Sequence, residues 1–126
     1  IAANIVELDL SGLPIGSAEM DFVAKCQNLE WLEVDKTPVT DAEVEKLENL
    51  KNLRLLKIYE TPVTDKSISV FKQLGSLKSL YVWNTKLSNE ALENLKNENS
   101  GLVINLGIDP GIETFFVARD SVAVAK

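Results

Sequence analysis

Four carboxylates, Glu7, Asp9, Glu33 and Asp35, and four large aromatics, Trp31, Tyr59, Tyr81 and Trp83, are the side chains of this sequence best placed to do chemistry. Several of them fall two residues apart, a spacing that puts both members on one face of a strand. Grouped carboxylates can hold Ca²⁺ or transfer protons. Grouped aromatics can anchor a partner. The rest of the composition limits the choice. The chain has no histidine and a single cysteine. Triad hydrolysis, histidine-ligated zinc and CxxCH haem attachment are therefore excluded within it. No nucleophile or oxyanion donor accompanies Glu33 and Asp35, so no catalytic residues and no enzyme are expected. The acids lack an Asp-x-Asp-x-Asp loop and a glycine-shaped turn, so a solvated acidic face is a better reading than a metal site. "GIDPG" at 107–111 lacks the Walker lysine and the GxGxxG spacing and reads as a turn. "KLENLKNLRLLK" carries no haem, nucleotide or phosphate signature, and no cofactor is expected. Cys26 occupies the slot that Leu50 and Leu74 fill elsewhere and reads as a small buried hydrophobe.

The net charge of −6 argues against nucleic acid, whose phosphates need a basic patch, and tolerates a basic partner. No apolar run approaches the ~20 residues that span a membrane. The opening "IAANIVELDL" has no initiator Met, no basic segment and no apolar signal core, which suggests a processed chain or a piece of a longer one. With no internal disulfide available, the compartment stays open.

The elements that position these residues follow from an internal repeat of 24 residues, with units starting at 4, 28, 52, 76 and, shortened, at 100. One column reads Leu8, Leu32, Leu56, Leu80, Ile104; the next reads Leu10, Val34, Ile58, Val82, Leu106. Their period of two marks a strand with one buried face. Further on, Met20, Val44, Ile68 and Leu92, then Val23, Leu47, Phe71 and Leu95, lie three apart, as a short helix or 3₁₀ turn requires. "TPVTD" separates the halves at 37–41 and 61–65. Its proline stops the strand, and Thr40, Thr64 and Ser88 are placed to cap the helix that follows. Thr40 and Glu43 have capping-box spacing. One unit is thus strand, turn, short helix and return loop, and it cannot bury its own apolar face. Stacked units form an arc with a parallel sheet on its inner side, each apolar side chain contributing roughly 1.5–3 kcal/mol on full burial.

The rows "LEWLEVDKTPV", "LRLLKIYETPV" and "LKSLYVWNTKL" resemble leucine-rich repeats, L-x-x-L-x-L-x-x-N-x-L. The resemblance implies an α/β solenoid of about four and a half coils with a concave parallel sheet, spanning residues 1–109, followed by a cap or tail at 110–126. The ninth position departs from the family: Leu13, Thr37, Thr61 and Thr85 stand where asparagine usually bridges coils. A threonine hydroxyl can bridge neighbouring backbones in the same way; Leu13 cannot, which marks the first repeat as a terminal variant. The Thr-x-Val-Thr-Asp turns and the close in "VINLG" are similar to the repeat tail of bacterial membrane-bound proteins that also carry a planctomycete-type cytochrome c domain. That similarity implies a membrane-tethered parent with these repeats outside the cytoplasm.

The strand positions between the apolar columns face the concave side. They collect Glu7, Asp9, Glu33 and Asp35 toward the first coils, and Trp31, Leu55, Tyr59, Tyr81 and Trp83 toward the later ones. Both tryptophans and both tyrosines of the chain are among them. The expected role is a non-enzymatic module binding a protein or peptide through Trp31, Leu55, Tyr59, Tyr81, Trp83, Glu33 and Asp35. The alternative is a structural spacer or cap of a membrane redox protein, with the aromatics covering their own sheet. At the far end, Phe115, Phe116 and Val117 are expected to fold back over the last coil, because a solenoid exposes its core at both ends.

Overall fold

A computed structural model of the chain describes residues 1–107. The expected cap at 110–126, with Phe115, Phe116 and Val117, and most of "GIDPG" lie outside the described residues. Five short strands, β1 (Glu7–Asp9), β2 (Trp31–Glu33), β3 (Leu55–Lys57), β4 (Ser79–Tyr81) and β5 (Val103–Asn105), form one parallel sheet in chain order. Each pairing is offset by one repeat, as in Leu8↔Leu32 and Leu32↔Leu56. Between strands run α1 (Ser17–Lys25), α2 (Asp41–Val44), α3 (Ile68–Gln73) and α4 (Asn89–Glu98). A 3₁₀ turn, Glu45–Leu47, continues α2, and another, Asp65–Ser67, precedes α3. No described helix is long and apolar enough to cross a membrane.

The apolar columns form one core. Leu29, Leu32, Val34, Leu53, Leu56, Ile58 and Leu80 are wholly buried. The end coils depart from this. Ile5, Leu8, Leu10 and Ile104 only partly enter the core, and Leu106 is 46% exposed, because among the described residues no further coil stacks on the outer side of the first and last. Cys26 is buried, its thiol pointing at the Phe22 carbonyl, and burial pushes that thiol up. It packs as the small hydrophobe expected.

After each of β1–β4 a residue turns the chain with positive φ: Gly12 (74°), Lys36 (59°), Glu60 (56°) and Asn84 (52°). Only the first is a glycine, so this column gives no local signal in the sequence. The following threonine then acts differently from expectation. Thr37, Thr61 and Thr85 each donate to the carbonyl three residues back, at 2.6, 2.7 and 3.0 Å, and so lock their own turn. They do not bridge coils, because a hydroxyl on a short stem reaches its own strand end first.

Bridging falls to other side chains. Asn28 and Asn52 each donate an amide N–H to a carbonyl 25 residues back, those of Ala3 and Gln27. Asp41 accepts from the Thr64 N–H, the Thr64 hydroxyl and the Ser67 hydroxyl of the next coil, at 2.9, 2.6 and 2.6 Å. Asp65 repeats this with the Ser88 N–H and hydroxyl. Earlier in the chain Ser17 stands where Asp41 and Asp65 stand, and there the coil serves itself: Glu43 accepts from the Thr40 N–H and hydroxyl, and Glu19 from the Gly16 N–H. An acid therefore meets the helix start in each of the first four coils. It comes from the same coil in the first two repeats and from the preceding coil in the next two, which explains why Ser67 and Ala91 replace the glutamate there.

Candidate functional site

Strand register assembles the concave face. Glu7, Trp31, Leu55, Ser79 and Val103 form one row across the sheet, and Asp9, Glu33, Lys57, Tyr81 and Asn105 form the next. Neighbouring members of a row stand about 4.8 Å apart, close enough for side chains to touch. Ser11, Asp35, Tyr59, Trp83 and Gly107 continue the alternation as a third row.

Three of the four aromatics expected to gather do so. The Tyr59 and Trp83 rings stack at 3.8 Å between centroids and 13° between planes, and Tyr81 meets Trp83 edge-on at 6.3 Å and 65°. Trp31 lies apart from this trio and is 38% exposed. Lys57 joins them: its Nζ lies 5.9 Å from the Trp31 ring and 5.1 Å from the Tyr81 ring. It also stands 3.7 Å from Glu33, whose other oxygen accepts from Trp31 Nε1 at 2.9 Å. Charge, hydrogen bond and ring quadrupole thus fix Trp31, Glu33, Lys57 and Tyr81 as one unit. Sequence reasoning gave Lys57 no role, although its place between Glu33 and Tyr81 in the row was visible.

Glu33 therefore joins the acidic side, next to Asp9 in its row, to the aromatics. Asp35 departs further: it is 2% exposed, where a solvent-facing residue was expected, and among the described residues its Oδ1 has no partner. The larger Tyr59 of the next coil stands beside it in the row. Burial, then the nearby Asp35 carboxylate, push the Tyr59 phenol up to about 12. Glu7 and Asp9 are exposed on β1, where the Asp9 carboxylate accepts from the Ser11 N–H at 3.0 Å and from its hydroxyl at 2.7 Å. Those bonds hold the Asp9 carboxyl below its usual range. Among the described residues no three acids or cysteines come close enough together to hold a metal ion.

Gly107 backs the aromatic group from the last coil. A Cβ there would lie 2.8 Å from two ring atoms of Trp83, and its φ is 84°. Only glycine gives the indole this seat. Leu55 is half-buried beside Trp31, and the two border a cavity of about 230 Å³ that Arg54, Lys78 and Ser79 also line.

No protein-family model matches the sequence, and a search of curated proteins finds no relative. Solved structures do match. An internalin (inlF) from Listeria monocytogenes aligns with a TM-score of 0.65 and 27% identity over 84% of this chain. Internalin C2 from the same species aligns with a TM-score of 0.58 and 26% identity over 79%. A leucine-rich repeat protein of Leptospira interrogans shares the fold at 0.60 and 21% identity over 80%. This chain spans 29%, 40% and 25% of those three proteins. In coil length, parallel sheet and structural likeness, the chain is a leucine-rich-repeat solenoid.

Proposed function

We propose that the chain is a non-enzymatic module that binds a protein or peptide on its concave sheet. One observation carries the reading: Trp31, Leu55, Tyr59, Tyr81 and Trp83 form a half-exposed aromatic surface across β2–β4, fixed in place by Glu33, Lys57 and Gly107. Rigid aromatics rimmed by charge lose little entropy on binding and are typical anchors of interfaces. The module belongs to a larger, membrane-tethered bacterial protein and works outside the cytoplasm. The likeness of its turns to the repeat tails of cytochrome c-bearing membrane proteins supports this.

Capture of partners by the full-length parent tests the reading. A Tyr59→Ala/Trp83→Ala parent is expected to lose a partner that the wild type retains, while its far-ultraviolet spectrum is unchanged. Equal capture by both would remove the concave face from the account.

A specific observation favours one other reading. Tyr59 and Trp83 cover each other at 3.8 Å and Gly107 covers one side of the indole, so part of the aromatic area serves the sheet itself. On that reading the domain is a spacer of a membrane redox protein, and the double variant loses stability but no partner.

A further inference from the structure

The concave face is divided by charge. On β1 and β2, and just before β2, it carries Glu7, Asp9, Glu30 and Glu33 and no cation. On β3 and just before β3 and β4 it carries Arg54, Lys57 and Lys78 and no acid. The two halves meet at the Glu33–Lys57 pair, 3.7 Å apart, the one ion pair of this face among the described residues. Just before β3 and β4, Arg54 and Lys78 form no ion pair among the described residues, and with Glu30 they line the same two cavities, of about 390 and 230 Å³. In the larger of them, two cations beside a single acid leave a net positive site that an opposite charge from outside would neutralise. Trp31 and Leu55 lie between the halves, in the smaller cavity.

We infer that the partner is a polypeptide segment of ordered charge. It lies across the strands with a Lys or Arg over β1–β2, an apolar or aromatic side chain on Trp31 and Leu55, and an Asp or Glu at Arg54 and Lys78. The inference rests on the concave-face reading and gives it a rule. The acidic and basic halves are about two strand spacings apart, roughly 10 Å, so the segment's opposite charges fall about three residues apart when it is extended. A second copy of this chain also has both charges, but two molecules of net charge −6 repel each other, whereas a short segment of balanced charge meets no such barrier.

Selection of short random peptides displayed on phage against the 126-residue chain tests this. The enriched peptides are expected to place a base about three residues from an acid with an apolar residue between. Their affinity should fall with salt and drop about tenfold or more on an Arg54→Glu/Lys78→Glu variant of unchanged circular dichroism. Enriched peptides without charge order that bind this variant equally well, yet lose affinity for Tyr59→Ala/Trp83→Ala, would overturn the charge rule and leave the concave face as the binding surface. Peptides insensitive to both variants would overturn the rule and the concave face together. The absence of enrichment, or a salt-dispersed dimer in sedimentation that gives the face to a second copy, would overturn the segment.

Discussion

At the scale of single residues, a few polar side chains carry more than their type announces. Asp41 is the clearest. Burial opposes its charged form, but hydrogen bonds from Ser67 and Thr64 outweigh that and lower its carboxyl. Asp41→Ala leaves those donors unpaired, and chemical denaturation should show a loss of about 2 kcal/mol. Glu43 is likewise held low, chiefly by the Thr40 N–H and then its hydroxyl. A carboxylate whose folded value is depressed stabilises the fold above its unfolded value and loses that contribution as pH falls through the folded value. Thermal stability should therefore be level above about pH 5 and decline below about pH 4, and Asp41→Asn should flatten the decline. Tyr59 has the opposite sign. Its phenol is raised to about 12, so the folded state holds the proton that the unfolded chain gives up near its ordinary value of about 10. Stability is whole below that unfolded value and drains away as pH rises toward 12. Absorbance titration near the phenolate band should show a late step that Tyr59→Phe removes.

At the scale of the coil, the strand and its buried column were legible, because leucine and valine recurring every 24 residues fix register without any tertiary information. The turns were only half legible. Proline and threonine in "TPVTD" announced a stop, but the positive φ at Lys36 and Glu60 is imposed by the coil closing on itself and not by residue type. Such conformations cost a side-chain-bearing residue on the order of 1 kcal/mol. Glu60→Gly should consequently leave stability unchanged or raise it by up to about 1 kcal/mol in denaturant titration, although glycine elsewhere in a coil would lower it. The acceptor role of Asp41 and Asp65 was invisible for another reason: their donors sit 23 residues or more along the chain and become neighbours only on stacking. Of the candidate site, the rows of aromatics followed directly from the repeat. The burial of Asp35 and the reach of Lys57 to Trp31 and Tyr81 did not, because both depend on side-chain size in the next strand.

At the scale of the whole molecule, stacking turns five weakly distinctive strands into one surface that carries aromatics and charges of both signs. The helices on the convex side are tied by Lys46–Asp21 and Lys72–Glu98 at 2.7 and 3.1 Å, exposed pairs that add little to stability and serve as neutral controls. Function is therefore expected to track the concave face alone. The most direct measurement is the dissociation constant of a captured partner, by calorimetry, for the wild type, for Tyr59→Ala/Trp83→Ala and for the convex control Lys72→Ala. The concave variant is predicted to bind at least about tenfold more weakly with the control unchanged; wild-type affinity in the concave variant, or an equal loss in the control, would contradict the account.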